Sequence, residues 1–210
     1  MIDKKLKQGI IISIQGYSKH TTQELAVEAV KGGAVALRMD KPVSLSDALR
    51  VPFIGLSKSQ VKKPENEAYI TSTVEAVQAV AKWADIIAID YRRLNANIKE
   101  ISDYCQEHKL VVIADIRAIE DAVYIVKEKL YYTYMATTLA VFNKKLKYKP
   151  DTKLVKELVD LGIPVIAEGN FTQRREVREA FDLGARCVCL GGAVSNVYKL
   201  TRKFASVLEQ

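Results

Sequence analysis

The segment PVIAEGNFTQRREVREAFDLGARCVCLGGA, residues 164–193, contains one complete unit of the architecture. Pro164 to Glu168 is an apolar run of strand length that closes on a carboxylate. Gln173 to Leu183 then sets apolar residues at helical spacing among charged ones, and Gly184 falls where a left-handed residue ends a helix. Ala185 to Leu190 is a second strand-length run, followed by Gly191-Gly192. A short apolar strand, a helix and another short strand form the signature of a parallel βαβ unit, with strands covered on both faces.

The same alternation recurs in both directions from this unit. Further strands are expected at Gly9 to Gln15, Ala34 to Met39, Pro52 to Ser57, Asp85 to Asp90, Leu110 to Ile116 and Leu130 to Thr137. Helices are expected at Thr22 to Lys31, Val74 to Trp83, Ile98 to His108, Ile119 to Lys129, Thr152 to Leu161 and Val197 to Leu208. Gly32-Gly33 and Gly162 close helices as Gly184 does, and Asp151 and Thr172 are the expected N-caps of helices six and seven. The second unit is short, because Leu45 to Arg50 is under two helical turns. Eight βα units without a linker predict one α/β domain over residues 1–210, a (β/α)8 TIM barrel of the phosphate-binding type. A doubly wound sheet with fewer strands is the alternative, but no GxGxxG follows the first strand.

With 49% hydrophobic residues, 27% charged and five prolines, the composition is that of a packed globule. The net charge of +7 suits an anionic metabolite or a nucleic acid. Its lysines are scattered, as in Lys4-Lys5, Lys62-Lys63 and Lys144-Lys145, and no basic helix is interleaved with aromatics, so no nucleic-acid partner is expected. No run approaches the roughly 20 apolar residues that span a bilayer. Ile10-Ile11-Ile12 is too brief for a signal segment, which makes a cytoplasmic protein without a membrane partner the expectation. Cys187 and Cys189 share one face of a strand and, with Cys105, read as buried small hydrophobes rather than metal ligands. Small barrels often associate, so a homodimer is kept open.

Most of the strands finish on a polar residue: Gln15, Arg38, Lys58, Asp90, Asp115, Thr137-Thr138 and Glu168. One such residue alone is often the first solvated position of a loop. Seven of them in a barrel, where the C-terminal strand ends converge, point to one ligand cavity. Gly169 and Gly191-Gly192 each follow a strand and precede a helix, leaving backbone N–H groups for an anion at the common phosphate position of barrels. His20 in a loop and His108 at a helix end read as structural or surface residues, and no histidine and carboxylate cluster is evident, so neither metal nor other cofactor is expected.

In order along nearly the whole chain, a series of blocks resembles the N-acetylmannosamine-6-phosphate 2-epimerases of sialic-acid catabolism. The blocks are Ile12-Ser13-Ile14-Gln15, Gly33-Ala34-Val35-Ala36-Leu37-Arg38, Phe53-Ile54-Gly55-Leu56-Ser57-Lys58, Tyr69-Ile70-Thr71, Ile86-Ile87-Ala88-Ile89-Asp90, Ala114-Asp115-Ile116, Ala136-Thr137-Thr138-Leu139, Ile166-Ala167-Glu168-Gly169 and Gly191-Gly192-Ala193. The resemblance implies a metal-free inversion at C2 of an N-acetylhexosamine 6-phosphate. Lys58 matches the family's catalytic lysine and Glu168 its active-site glutamate, and Gln15, Arg38 and Asp115 fall on substrate-binding positions. By their places at strand ends, Asp90, Thr137, Gly169, Gly191 and Gly192 join the expected substrate site. The chain departs from the family at Ser59-Gln60-Val61, at Val141-Phe142-Asn143 and at Val194-Ser195-Asn196-Val197, where an arginine expected near the phosphate is replaced.

A lysine can remove a carbon-bound proton only as the neutral amine, so Lys58 needs burial or a neighbouring cation to lower its pKa from about 10.4. Arg38, one strand away, is the expected neighbour. Two alternatives stay open: a divergent barrel paralogue acting on another sugar phosphate, and a non-catalytic phosphosugar-binding protein. A pentulose-phosphate epimerase would want metal-binding histidines and a thiamine-phosphate-synthase-like protein acidic magnesium ligands, and neither set is evident in the sequence.

Overall fold

The computed structural model describes residues 6–58, 70–143, 146 and 149–208. Eight parallel strands close a barrel in sequence order: β1 (Gly9–Ile14), β2 (Ala36–Met39), β3 (Phe53–Gly55), β4 (Ile86–Asp90), β5 (Val112–Asp115), β6 (Tyr134–Ala136), β7 (Val165–Glu168) and β8 (Cys187–Leu190). The ring is shut by β1 against β8, in a register that sets Ile11 opposite Cys189. The (β/α)8 expectation is met.

Alternation along the strands sorts the residues into two layers. Ile11, Ala36, Ile54, Ala88, Ile113, Tyr134, Ile166 and Cys187 form an interior cluster inside the ring. Their neighbours Ile87, Val112, Met135, Val165 and Val188 face outward and pack with the helices. Such a two-sided strand must be apolar at nearly every position, which is why the runs were visible in sequence. Each fully buried aliphatic side chain contributes about 1.5–3 kcal/mol. The three cysteines are buried and free, two of them inside the barrel.

Among the described residues seven helices alternate with the strands: α1 (Lys19–Lys31), α2 (Val74–Ala81), α3 (Ile98–Glu107), α4 (Ile119–Lys127), α5 (Thr152–Asp160), α6 (Arg174–Asp182) and α7 (Val197–Ala205). The second unit has only the one-turn 3-10 segment Asp47–Leu49. Helix α1 starts earlier than apolar spacing predicts, because Ser18 caps it by accepting from the Thr21 N–H at 3.1 Å. Asp151 caps α5 as expected, accepting from Leu154 at 3.0 Å. Thr172 does not cap α6. That helix opens after Gln173, and the Glu176 carboxylate reaches back to the N–H groups of Thr172 and Gln173 at 2.8 and 2.9 Å. Gly33, not Gly32, takes the left-handed conformation at the end of α1.

A Cβ on Gly55 would lie 2.5 Å from Ala84 Cβ and 2.6 Å from Val80 Cγ1, so the end of α2 packs directly on the β3 backbone. Helix α7, unlike α1 to α6, buries none of its residues. Among the described residues no helix is long and apolar enough to cross a membrane.

Candidate active site

The interior alternation continues past the hydrophobic layer and turns polar at the C-terminal end of the ring. Ser13, Arg38, Asp90, Asp115 and Glu168 each lie two residues beyond an interior-facing apolar residue of the same strand. Ser13 pairs with Arg38 across β1 and β2, Asp90 with Asp115 across β4 and β5, and Glu168 with Cys189 across β7 and β8.

Arg38 is the hub. Its guanidinium forks onto Asp115, with Nη1 to Oδ1 at 3.2 Å and Nη2 to Oδ2 at 2.5 Å, and Nη1 also lies 3.3 Å from Glu168 Oε2. The Arg38 and Asp115 side chains are 2% and 0% exposed, so this pair is fully desolvated. Burial opposes the arginine's charge, but the two carboxylates outweigh it and raise its pKa. Burial likewise pushes both carboxyls upward, against the pull of Arg38. Asp115 holds the forked contact and also accepts from Thr138 Oγ1 at 2.6 Å, whereas Glu168 has the longer contacts to Arg38 and, at 3.1 Å, to Thr138. Asp115 is therefore the better stabilised of the two as an anion and Glu168 the more readily protonated. The Cys189 thiol lies beside Glu168, and burial pushes its pKa well above the ordinary value.

Lys58 stands just beyond β3, in an isolated antiparallel bridge with Ile70. The turn before it is fixed by Thr71, whose Oγ1 accepts from the Ser57 N–H at 2.9 Å and whose N–H donates to Ser57 O at 2.8 Å. Partial burial is the main cause that lowers the Lys58 pKa. The charges of Arg38, Lys199 and Lys41 act in the same direction, and Asp40 opposes them. Asp40, unforeseen in the sequence, sits two residues beyond Arg38, with Oδ2 accepting from the Gly16 N–H at 3.0 Å. Its Oδ1 and Arg38 Nε are buried polar atoms without a hydrogen-bond partner among the described residues.

The remaining expected site residues are engaged in different ways. Gln15 donates to Ser13 Oγ at 2.7 Å. Asp90 is wholly buried and is occupied by Arg92, which it binds through both carboxylate oxygens at 2.7 to 3.2 Å. Thr137 faces outward, where its hydroxyl donates to Glu168 O at 2.7 Å and accepts from Glu168 N at 2.9 Å. The interior threonine is Thr138, as a step of two from Tyr134 and Ala136 would have shown. Gly169 has φ +105°, and a Cβ there would meet Val141 Cγ1 at 2.9 Å, so only glycine fits. After β8, Gly191 O accepts from the N–H groups of Val194 and Ser195 at 2.9 and 3.0 Å, and the N–H groups of Gly192 and Ala193 meet no acceptor among the described residues. Lys199 Nζ lies 3.7 Å from where a Gly192 Cβ would stand, which brings a cation to the turn in which the family's arginine is replaced. Ser59-Gln60-Val61 lies outside the described residues. His20 is a surface partner of Glu24, and His108 stacks on Tyr104 at 4.0 Å.

Residues 22–210 match the family model described as "Putative N-acetylmannosamine-6-phosphate epimerase". The chain belongs to that family. Among relatives named "Putative N-acetylmannosamine-6-phosphate 2-epimerase", one from Clostridium perfringens strain SM101 is 31% identical, covering 97% of this chain and 98% of its own. Another, from Caldanaerobacter subterraneus, is 32% identical and covers 100% and 94%. The solved N-acetylmannosamine-6-phosphate 2-epimerase from Clostridium perfringens superposes with a TM-score of 0.85 at 28% identity, covering 96% of this chain and 94% of that one. A thiamine phosphate pyrophosphorylase from Pyrococcus furiosus shares the fold alone, with a TM-score of 0.60 at 16% identity over 98% of this chain and 97% of that one.

Proposed function

We propose that this protein inverts C2 of N-acetylmannosamine 6-phosphate to give N-acetylglucosamine 6-phosphate, a step in sialic-acid breakdown, with Lys58 as the base and no metal ion. The observation that carries this reading is the placing of Lys58 after β3 and Glu168 on β7, strands set four apart in a ring of eight, with the Arg38–Asp115 pair between them in the order of the ring.

The C2 proton becomes acidic when C1 is the open-chain aldehyde. Neutral Lys58 takes that proton, and the C–H electron pair forms the C1–C2 double bond while negative charge moves to O1. Arg38 opposes that charge from the neighbouring strand. Return of the proton by Lys58 to the face it came from regenerates substrate. Inversion needs a proton from the other face, and Glu168, protonated and on the opposite strand, is the donor. After inversion Lys58 carries the abstracted proton and Glu168 is the carboxylate; Lys58 gives its proton to solvent and Glu168 regains one from solvent before the next turnover, while Thr138 stays hydrogen-bonded between Asp115 and Glu168. The phosphate is assigned to Gly169, Gly191 and Gly192 with Lys199 alongside. Metal independence is part of the proposal, because Asp90, Asp115 and Glu168 are engaged by Arg92, Arg38 and Thr138.

The test is incubation of each epimer in deuterium oxide, followed by NMR at C2. Inversion with deuterium at C2 of the product supports the proposal. A protein that is thermally stabilised by hexosamine phosphates yet exchanges no C2 proton is a binder and not an epimerase. Activity lost to a chelator and restored by one divalent ion refutes the metal-free mechanism.

A further inference from the structure

Gly16 and Tyr17, in the loop just after β1, are held from two directions. From the end of β2, Asp40 Oδ2 accepts from the Gly16 N–H at 3.0 Å, and the Lys41 ammonium donates to the Tyr17 carbonyl. Asp40 Oδ1 and Lys41 Nζ stand 3.8 Å apart, so the two side chains also steady each other. On the far side the Tyr17 phenol donates to the Ser195 carbonyl at 2.6 Å. Its ring packs against the apolar cluster of Ile12, Ile14 and Leu37, which fixes the direction of that hydroxyl.

Ser195 is the last residue of the turn after β8. Its N–H donates to Gly191 O at 3.0 Å and its Oγ to Ser13 O at 2.8 Å, which closes residues 191–195 into a loop and seats that loop on β1. Its carbonyl takes the Tyr17 phenol. Asn196 follows and caps α7 through the Lys199 N–H at 2.9 Å, and Lys199 Nζ comes back to 3.7 Å from where a Gly192 Cβ would stand. The Ser195–Asn196 peptide therefore governs where that ammonium falls relative to the Gly192 and Ala193 amides.

A turn built on two adjacent glycines has more backbone freedom to lose than any other. Held in shape before an anion arrives, it loses little more on binding. Asp40 and Lys41 also stand among the charges around Lys58, so the same contacts connect the anion-binding turn to the strand end beside the base.

We propose that Tyr17 is a positioning residue for the substrate phosphate: backed by Lys41 and Asp40, it braces the turn after β8 against the end of β2 and keeps the Gly192 and Ala193 amides and Lys199 in the arrangement that receives the anion. This rests on the assignment of the phosphate to that turn. The phenol is engaged by Ser195, so its influence on the ligand passes through the shape of the turn.

The test is Tyr17→Phe in the full chain, which keeps the ring and removes one hydrogen bond, with inorganic phosphate as the probe. Phosphate is measured as a competitive inhibitor of turnover and by phosphorus NMR titration. KM for N-acetylmannosamine 6-phosphate and the dissociation constant of inorganic phosphate should both rise about 3- to 10-fold, the equivalent of one hydrogen bond, with kcat unchanged. Lys41→Met releases the Tyr17 carbonyl and should weaken inorganic phosphate as well. The double variant should bind phosphate no worse than the weaker single variant, because both changes act through one loop. Additive losses overturn the brace, since Lys41 then acts on the anion independently of Tyr17. Unchanged phosphate affinity in Tyr17→Phe, or a fall in kcat at constant KM, also overturns it. Wild-type protein that binds no inorganic phosphate refutes the phosphate assignment and the brace together, whereas wild-type binding that neither variant weakens refutes the brace alone. Should Tyr17→Phe misfold, Lys41→Met decides by the same titration.

Discussion

Lys58 and Glu168 belong to β-strand units three and seven, which stand opposite each other in the closed ring. If they serve opposite faces of C2, their variants fail differently. Lys58→Met should lower turnover about 10²- to 10⁴-fold, as loss of a general base does, with fold and weak binding kept. Glu168→Gln should still wash deuterium into the starting epimer while losing inversion. Proton NMR of both epimers in deuterium oxide separates the two, and equal loss of exchange and inversion in Glu168→Gln would refute the division of labour.

Proton abstraction at C2 should climb with pH, while inversion falls again as Glu168 loses its proton. The base must be neutral, and the folded pKa of Lys58 lies below the ordinary 10.5, so the rising limb of kcat/KM falls below that value. Asp40 is the neighbour that holds the pKa up, against Arg38, Lys41 and Lys199. Asp40→Asn is therefore expected to move the limb to lower pH. A limb that does not move would remove Asp40 from the electrostatics of the base.

Stability should move the other way. The Glu168 carboxyl titrates above its unfolded value of 4.5, so its contribution is fully present below that value and is lost as pH rises through the folded pKa. Glu168→Gln should be the more stable protein at pH 8 relative to wild type, with the gap closing in acid, as read from urea midpoints. Asp115→Ala strands the Arg38 charge and should cost about 3–5 kcal/mol. Arg38→Lys should impair activity despite its charge, because a point ammonium cannot reproduce the fork.

Adjacent threonines offer a sharper contrast. Thr137 closes both backbone bonds to Glu168 from outside the ring, so Thr137→Val should cost about 1–3 kcal/mol of stability. Thr138→Val removes the hydroxyl between Asp115 and Glu168 and should depress kcat more than stability. Paired denaturation and kinetic measurements on the two variants check this.

The strands were legible because they are buried on both faces, which leaves an apolar run in the sequence. The start of α1 was not, because Lys19-His20-Thr21 is polar and exposed and only the Ser18 cap marks it. Arg38, Asp115 and Glu168 could be named from strand ends, but their mutual contact depends on ring closure, which no local pattern encodes. Thr138 was within reach of a strict count of alternation. Asp40 and Lys199 were not, since one lies beyond its strand and the other is brought back by a turn. Amphipathic spacing announced α7, and said nothing of the exposure of its apolar residues Val197, Phe204 and Leu208.

Gly55 makes the position of Lys58 depend on the outside of the barrel. Three residues before the lysine, the end of α2 rests on bare backbone, with Val80, Trp83 and Ala84 where any Cβ would go. A methyl group there has to displace either the helix or the three-residue strand that carries the lysine. A change in the outer layer, in contact with no ligand, would thus shift the backbone that leads to Lys58. Heating has the same lever available, because any loosening of α2 removes the packing that holds β3. The protein should lose catalysis at a lower temperature than it loses its fold.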